Sequence, residues 1–549
     1  MQLKYRLRFV ASILVMLVAV FASLSPTSVF ANTPESLAPL LERLTQVSLK
    51  QTADLLDEMA ETGEPELVEL FEVMLDGHLH YEKTSRSLVA ITTTPNKTYV
   101  VEPMFQPQIS VEEVSTKSAY KKIRVNNRLR SKLRGLIASL LLNSDDVSKR
   151  RDAATEMIGN DTADIRAQLQ QRLTVETDST VIEPLTLAIA VYDLKQSDEF
   201  EIKLSAIKEL DGSLHPEARN ALNSVVESEN EINTVLVARA EQALKSIDQK
   251  VRFYGLVEQL FFGLSLGSVL LLAAIGLSIT FGVMGVINMA HGEMIMLGAY
   301  TTYVIQLLLP DHIGMSILIA IPAAFCVSGL VGILIERGVI QFLKGRPLET
   351  LLATFGISLI LQQLVRSIFS PLNRQVITPD WLSGSLVINE VFSITYNRLY
   401  ILIFALMVFV ALQMLLKLSK LGLNVRAVSQ NRSMARAMGI RTERVDALTF
   451  GLGSGVAGIA GVALSQLTNV GPNLGQSYII DSFMVVVFGG VGNLLGTLIG
   501  SFSLGIVNKF LEPTTGAVMA NILILVFVIL FIQRRPQGLF PQKGRAAND

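Results

Sequence analysis

The chain has 549 residues, of which 50% are apolar and 17% are charged, against about 25% charged in a typical globular protein. Its 47 basic and 48 acidic residues nearly cancel, which removes any general case for nucleic-acid binding. The single cysteine, Cys326, excludes an intrachain disulfide framework and a zinc site built on several thiolates.

The first 31 residues resemble a secretory signal. Lys4, Arg6 and Arg8 precede an apolar run from Phe9 to Leu24, and a Val-Phe-Ala sequence ends at Ala31. A basic start, an apolar core and small residues before a cleavage site predict a signal peptide over 1–31. A retained signal-anchor helix is the alternative. Either one places the following residues outside the cytoplasm.

Residues 32–250 are predicted to form a mostly helical extracytoplasmic domain. They hold most of the charged residues, and intramembrane charge is expensive. Leu67, Leu70, Phe71 and Met74 recur at helical spacing, as expected for one buried helix face. Three prolines between residues 92 and 113 predict a loop or a short hairpin.

Two segments of this domain are similar to each other. Residues 147–159 and 200–212 align with Ala, Glu, a large apolar residue and a final Gly in the same places. Stacked helix pairs of this kind would form a short HEAT-like solenoid, and a plain helical bundle is the alternative.

His78 and His80 are the one metal-like feature of this domain. Residues two apart on a helix point to different faces, so we expect a solvated surface pair and no metal site.

Residues 251–536 are predicted to be a polytopic transmembrane domain, since long stretches almost without charge require a bilayer. Single spans are expected at 258–281, 290–309, 314–335, 350–369, 398–416, 446–468 and 516–533. A further pair of helices, 478–490 and 494–510, is interrupted by glycines at 489, 490 and 492, and either spans twice or re-enters. The glycines between 451 and 461 indicate close helix packing.

Basic residues set the orientation. Residues 417–444 contain seven basic residues and one acidic residue, and residues 534–545 add four basic residues. The positive-inside rule places both segments in the cytoplasm, with residues 537–549 as a cytoplasmic tail. Lys344 and Arg346 mark another inner turn. Counting spans back places residue 255 outside.

The sequence gives little support for an enzyme. It contains no G-x-x-x-x-G-K-[ST] or H-E-x-x-H motif, so a P-loop ATPase and a zincin of the usual kinds are not indicated. We therefore assign no catalytic residue, metal or cofactor.

Polar groups at membrane depth are by default functional candidates. Glycine-broken helices there are tolerated where the backbone lines a cavity. Gln362, Gln363 and Arg366 lie at the outer end of the fourth span. The candidate residues of a translocation path are Asn288, His291, Glu293, Gln466, Asn473, Asp481 and Asn493. Helix capping is the structural alternative for His291 and Glu293.

Three segments carry a family resemblance over about the last 290 residues. They are 276–300, with Asn288-Met-Ala-His-Gly-Glu293; 426–440, with Ser429-Gln-Asn-Arg432; and 481–493. They resemble permease subunits of branched-chain amino acid-type ABC transporters. Four features are most similar to urea permeases of this family: residues 288–293, residues 429–432, residues 466–478 and the long domain ahead of the membrane part.

The resemblance implies a second permease subunit in a heterodimer, two cytoplasmic ATPases and an extracytoplasmic substrate-binding protein, in the inner membrane of a bacterium. It also implies that residues 426–440, the coupling loop, contact an ATPase. The glutamate of the Glu-Ala-Ala pattern found in other importers of the family is missing here, but Ala435 and Gly439 match the pattern. The residues expected to carry the coupling are Arg426, Ala427, Arg432, Ala435, Arg436 and Gly439. Membrane lipid is a second partner for this basic loop.

The sequence therefore predicts an all-α permease subunit of an ATP-driven importer for urea or short amides. Urea is neutral, with four N–H donors and one acceptor, and suits a path of uncharged polar groups. An amino acid would need counter-charges, of which few are visible. Import of branched-chain or other amino acids is the close alternative. A membrane-tethered interaction protein and a channel that needs no ATP are the others.

Overall fold

The computed structural model describes residues 37–94, 98–105, 112–114, 116–227 and 234–540. The predicted signal segment and residues 541–549 lie outside this range. The chain divides into two compact units, Met1–Ile247 and Asp248–Asp549. The chain is mostly helical, which confirms the predicted all-α class for the membrane part.

The first unit begins with three helices and a small sheet. The helices are α1 (Ala38–Leu44), α2 (Thr52–Glu61) and α3 (Glu66–Leu75). Five antiparallel strands follow in the order β4-β3-β2-β1-β5. They are β1 (Leu79–Glu82), β2 (Leu88–Thr93), β3 (Tyr99–Pro103), β4 (Glu112–Val114) and β5 (Tyr120–Lys122). The helix α3 buries the four residues predicted from its spacing.

The prediction of a loop or short hairpin at 92–113 underestimated the extent of the sheet. The strands β2 and β3 do form a hairpin, with Val89 opposite Pro103 and Thr93 opposite Tyr99, but the sheet extends from Leu79 to Lys122. The outer strands are only three residues long and polar. Such strands depend on pairing with a neighbour rather than on a pattern of their own.

The histidine pair is not the solvated pair that the sequence predicted. His78 is exposed, but His80 lies in β1 and is buried. Its ring Nδ1 lies 2.7 Å from the carbonyl oxygen of His78. Burial lowers the pKa of His80, because desolvation disfavours the imidazolium. The described residues contain no cluster of three or more His, Cys, Asp or Glu that is able to hold a metal ion.

Six helices complete the first unit before the helix that contains the unit boundary. They are α4 (Asn127–Leu141), α5 (Val147–Glu156), α6 (Ala163–Val175), α7 (Ser179–Gln196), α8 (Phe200–Leu210) and α9 (Pro216–Glu227). The two similar segments form α5 and α8, which both pack against α7. Each copy ends at a glycine with positive φ, Gly159 and Gly212. The HEAT-like assignment stays a proposal.

Buried ion pairs of Glu176 fix the connection between α6 and α7. The carboxylate of Glu176 is 2% exposed and accepts from Arg150 Nε at 2.8 Å and from Arg172 Nη2 at 2.8 Å. Its Oε1 also accepts the backbone N–H groups of Thr177 and Asp178, at 3.1 and 3.2 Å. The bond from Arg150 is the main reason that the pKa of Glu176 falls to about 2, against the opposing effect of burial.

Replacing Glu176 with glutamine is expected to destabilise this connection locally, because it leaves the Arg150 guanidinium without its counter-ion. Hydrogen exchange of the full chain at neutral pH should show lost protection at the start of α7. The Glu176 pKa is depressed in the folded state. Its contribution is therefore complete above about pH 4.5 and is lost as pH falls toward 2, so the difference from wild type should shrink at pH 3.

Asp152→Asn is the matched control, since the Arg151–Asp152 pair is exposed and such pairs contribute little. Equal protection in the two variants would show that the Glu176 ion pairs do not hold this connection.

The second unit is a bundle of helices that begins within α10 (Thr234–Met284). The others are α11 (His291–Leu308), α12 (Ile313–Gly338), α13 (Pro347–Phe369), α14 (Tyr396–Leu418), α15 (Lys420–Gln430), α16 (Arg432–Ala437), α17 (Thr442–Ser465), α18 (Leu474–Gly489), α19 (Leu494–Thr515) and α20 (Ala517–Arg534). A hairpin of β6 (Ser385–Val387) and β7 (Ser393–Thr395) precedes α14.

Seven helices of the described residues are long and apolar enough to cross a membrane: α10, α12 with the turn to Phe342, α13, α14, α17, α19 and α20. The helix α18 is apolar but shorter. The predicted second span exists as α11, but it is not among the seven. Most of α11 is buried inside the protein, so its polar side chains contact other helices.

Glycines hold three of these helices together as one block. A Cβ on Gly461 of α17 would overlap the Ile295 carbonyl oxygen of α11, and one on Gly458 would lie 2.5 Å from the Ala324 carbonyl oxygen of α12. The predicted close packing of this glycine run is therefore confirmed. We call α11, α12 and α17 the three-helix slab, because direct backbone contact leaves its members little freedom to slide.

Candidate functional site

A line of polar side chains runs along the buried side of α13. They recur at intervals of four residues: Thr350, Thr354, Ser358, Gln362 and Arg366. The first four are buried, whereas the apolar Leu348, Leu352 and Ile360 are exposed. Because side chains four apart lie on adjacent turns of one face, the helix turns a polar stripe toward the protein. We call this stripe, with its contacts to α11, the polar seam.

Glu293 lies at the centre of the polar seam. It belongs to the first turn of α11 and is 1% exposed. Its Oε1 accepts hydrogen bonds from Ser358 Oγ at 2.9 Å and from Gln362 Nε2 at 2.8 Å. Its Oε2 has no hydrogen-bond partner in the described part of the chain. A half-satisfied buried carboxylate is costly to hold, so this arrangement points to function rather than stability.

One end of the seam is closed by two connecting segments. Arg366 Nη2 donates to Asn473 Oδ1 at 2.8 Å. The backbones of Arg374 and Val470 exchange two hydrogen bonds, of 2.7 and 2.9 Å. The segment after α13 is thereby joined to the segment before α18, and Asn473, a predicted path residue, lies at this closed end.

Four other predicted path residues make structural contacts. Asn288 Oδ1 accepts the Ala290 N–H at 3.0 Å at the start of α11. His291 Nε2 lies 2.9 Å from the Ala273 carbonyl oxygen of α10. Gln466 Nε2 donates to Ser465 Oγ at 3.2 Å. Asn493 Oδ1 accepts two N–H groups at the start of α19. Their role in a path stays a prediction.

The last predicted path residue, Asp481, lines a separate cavity of about 290 Å³. We call it the charged cleft. The side chain of Asp481 has no hydrogen-bond or ion-pair partner among the described residues. Elsewhere in the cleft, Lys509 Nζ lies 2.5 Å from Glu512 Oε2, and Asn508 donates to Asn521 at 2.6 Å. The cleft therefore presents both signs of charge.

Sequence reasoning missed several of these residues. Thr354 and Ser358 were passed over, although the four-residue spacing along the fourth span was visible. Lys509 and Glu512 were not among the predicted site residues. Their i,i+3 spacing near the end of a helix was the available signal.

The coupling loop covers the end of α15 and the whole of α16. Ala435 is buried with Val425, Val428 and Val445, and Ala427 packs against the same cluster. Arg426 Nη1 donates to the Leu416 carbonyl oxygen. Arg436 Nη2 donates to Thr442 Oγ1 at 3.2 Å, and Arg432 forms an ion pair with Asp446 at 2.7 Å. The six predicted coupling residues thus belong to one folded element.

Comparison with known proteins identifies the second unit. Residues 259–532 match the family described as branched-chain amino acid transport system / permease component. The chain is 30% identical to the high-affinity branched-chain amino acid transport system permease protein BraD of Pseudomonas aeruginosa, over 52% of this chain and 96% of that protein. The chain belongs to this permease family. It is therefore a transport subunit of the multi-pass membrane type and not an enzyme.

Two further relatives are similar over the same extent of the permease. LivH of Escherichia coli K12 is 30% identical over 52% of this chain and 96% of that protein. The probable LivH of Methanocaldococcus jannaschii is 27% identical over 50% of this chain and 88% of that protein. No solved structure matches the chain. The family match leaves the residues before 259 without a counterpart.

In this permease, Gly439 ends α16 in a Schellman motif. The Ile440 N–H donates to the Ala435 carbonyl at 3.0 Å, and the Gly439 N–H donates to the Arg436 carbonyl at 3.0 Å. The φ of Gly439 is +86°, and a Cβ there would meet no atom within 4 Å. The glycine is required by backbone conformation rather than by space.

Replacing Gly439 with valine is expected to reduce solute uptake without changing the amount of permease in the membrane. A non-glycine residue in the left-handed region costs about 1–2 kcal/mol, which favours a different end for α16. Uptake and membrane content are measured on the same cells. Gly516→Val is the matched control, because Gly516 has a φ of +82° and equal space but lies between α19 and α20. Equal losses in both variants would remove the coupling explanation.

Proposed function

We propose that this permease is the transmembrane subunit of an ATP-driven importer, with the polar seam and the charged cleft as parts of its translocation path. The observation that carries the proposal is Glu293, a buried carboxylate with one oxygen unpaired among the described residues. It accepts hydrogen bonds from a hydroxyl and an amide of α13. Membrane proteins keep such groups where a substrate or ion passes.

The proposed partners are a second permease subunit, two cytoplasmic ATPases, an extracytoplasmic binding protein and membrane lipid. The folded coupling loop supports an ATPase contact, since its exposed Arg426 and Arg436 flank a fixed apolar core. The permease family of its relatives supports the presence of other transporter subunits.

The proposed orientation places the coupling loop and the tail in the cytoplasm and residues 32–250 outside. Two basic segments that were assigned to the inside separately meet in the structure. Lys344 and Arg432 both bind Asp446, at 2.7 Å each, so their segments lie at the same end of the bundle. The excess of basic residues at that end favours the cytoplasmic side.

Two substrates are supported by different observations. The relatives are permeases for branched-chain amino acids by name, which favours an amino acid. The charged cleft adds to this, because Asp481 and Lys509 offer counter-charges for an ammonium and a carboxylate. The expectation that few counter-charges are available applies to the seam but not to this cleft.

Urea or a short amide is the second candidate, and the seam favours it. Between Thr354 and Gln362 the seam offers hydroxyl and amide groups, and Glu293 is an acceptor for the N–H donors of urea. The residues that resemble urea permeases include Met289, whose N–H donates to Thr354 Oγ1 at 3.2 Å, and Glu293, which accepts from Ser358.

Uptake by a strain without its own importers separates the two substrates. The complete transporter is expressed, and labelled leucine and labelled urea are supplied in separate assays at micromolar concentration. Leucine entry with urea excluded would reject urea, and urea entry with leucine excluded would reject the amino acid. Asp481→Asn combined with Lys509→Gln should reduce leucine uptake about tenfold and leave urea uptake unchanged. Failure of both solutes to enter would contradict the proposed importer.

A further inference from the structure

Four charged side chains meet at the coupling-loop end of the membrane domain. Asp446 and Glu336 are 0% and 1% exposed. Lys344 Nζ lies 2.7 Å from Asp446 Oδ2 and 3.2 Å from Glu336 Oε1. Arg432 holds both oxygens of Asp446, through Nη1 at 2.7 Å and Nη2 at 3.0 Å. We call these four residues the ion cluster.

The ion cluster joins three separate parts of the chain. Asp446 lies near the start of α17, and Glu336 and Lys344 lie at the end of α12 and in the turn after it. Arg432 is the first residue of α16 in the coupling loop. Asp446 therefore links the coupling loop directly to two members of the three-helix slab.

The energetics of such a cluster favour a specific geometry over stability. The free energy that is lost when charged groups are buried is about as large as the free energy gained from their attraction. Well-packed apolar residues in the same place often stabilise a protein more. Removing one partner is costly, because it leaves a buried charge unpaired. The bidentate bond of Arg432 also fixes the direction of α16 relative to α17, which a contact between apolar side chains would leave adjustable.

The slab extends this link to the polar seam. The helix α17 is in backbone contact with α11 through Gly461 and Ile295, and α11 carries Glu293 in its first turn. A rotation of the coupling loop that turns α17 must therefore move Glu293 relative to Ser358 and Gln362 on α13. The helix α13 is outside the slab and is only 28% buried over its most apolar stretch.

We propose that Asp446, held by Lys344 and Arg432, is the positioning residue through which movement of the coupling loop reaches the polar seam. This inference rests on the proposed function, since it requires an ATPase that moves the coupling loop. Asp446 acts through the slab and does not touch the solute.

The test measures solute uptake and ATP hydrolysis in proteoliposomes that contain the complete transporter. Asp446→Asn and Lys344→Gln are expected to lower the uptake per ATP hydrolysed about tenfold, while hydrolysis continues. Arg432→Lys and Asp446→Glu keep the charges and should restore part of the ratio. Arg346→Gln is the matched control, because Arg346 lies in the same turn as Lys344 but pairs with Glu349 at the surface.

The outcomes separate the inference from the proposed function. A wild-type transporter without ATP-driven uptake would contradict the proposed function itself. A coupled wild type together with an unchanged ratio in Asp446→Asn would overturn the role of the ion cluster alone. A fall of the same size in Arg346→Gln would also overturn it.

A second measurement leaves the ion cluster intact, so it does not depend on whether the variants assemble. Spin labels on Cys326 of α12 and on Ala437→Cys of α16 report the distance between slab and coupling loop in the otherwise wild-type transporter. The inference predicts the same distance with and without nucleotide. A change of about one helical turn, 5.4 Å, would show that the loop slides past the slab and would overturn the link.

Discussion

Replacing Gly461 with valine is expected to destabilise the permease by at least about 3 kcal/mol and to abolish uptake. A Cβ at this position would overlap the Ile295 carbonyl oxygen, which belongs to the backbone of α11. Backbone cannot move aside as a flexible side chain can, so α11 and α17 must separate. Their separation would disrupt the slab, and with it the position of Glu293 on α11.

Thermal unfolding in detergent measures this effect. The chain has one tryptophan, Trp381, which lies in the second unit and donates to the Gly314 carbonyl oxygen at 3.1 Å. Its fluorescence should report a Tm lower by about 10 °C in Gly461→Val. Gly356→Ala is the control, since a Cβ there meets nothing within 4 Å and should raise helix stability by up to about 1 kcal/mol. A wild-type Tm for Gly461→Val would contradict the slab.

Replacing Glu293 with glutamine is expected to lower uptake about 100-fold, which corresponds to ~2.7 kcal/mol. The amide keeps the size of the side chain and removes the charge that Ser358 and Gln362 hold. The Tm should stay unchanged or rise, because a desolvated charge is replaced by a neutral group. Lost uptake with retained stability is the pattern expected of a path residue.

The measurement pairs initial uptake rates with the Trp381 melting curve on the same preparation. Glu349→Gln is the control, since Glu349 forms an exposed pair with Arg346 and should change neither quantity. A Glu293→Gln permease that takes up solute at the wild-type rate would remove Glu293 from the path. A large loss of Tm would assign it a structural role instead.

The membrane helices were predictable because the signal is local. A stretch of roughly 20 apolar residues predicts a membrane span whatever surrounds it. The glycines from 451 to 461 indicate close helix packing without any other information. The strands of the first unit carried no such signal. The three-residue strand Tyr120–Lys122 exists because His80 and its neighbours pair with it.

The functional groups were predictable one by one but not as a site. Glu293 and Gln362 stood out as polar residues at membrane depth. That they form a hydrogen bond across 69 residues of sequence depends on how α11 packs against α13. The ion cluster shows the same limit, because Lys344 and Asp446 are 102 residues apart and neither belongs to a pattern that points to the other.

The dependence of uptake on ATP tests the central claim most directly. Proteoliposomes that contain the permease with its partner subunits are loaded with ATP or with a non-hydrolysable analogue on the side of the coupling loop, and labelled solute is added to the other side with the binding protein. The account predicts accumulation against the gradient with ATP and none with the analogue. Equal uptake in both conditions, stopping at equilibrium, would identify a channel and contradict it.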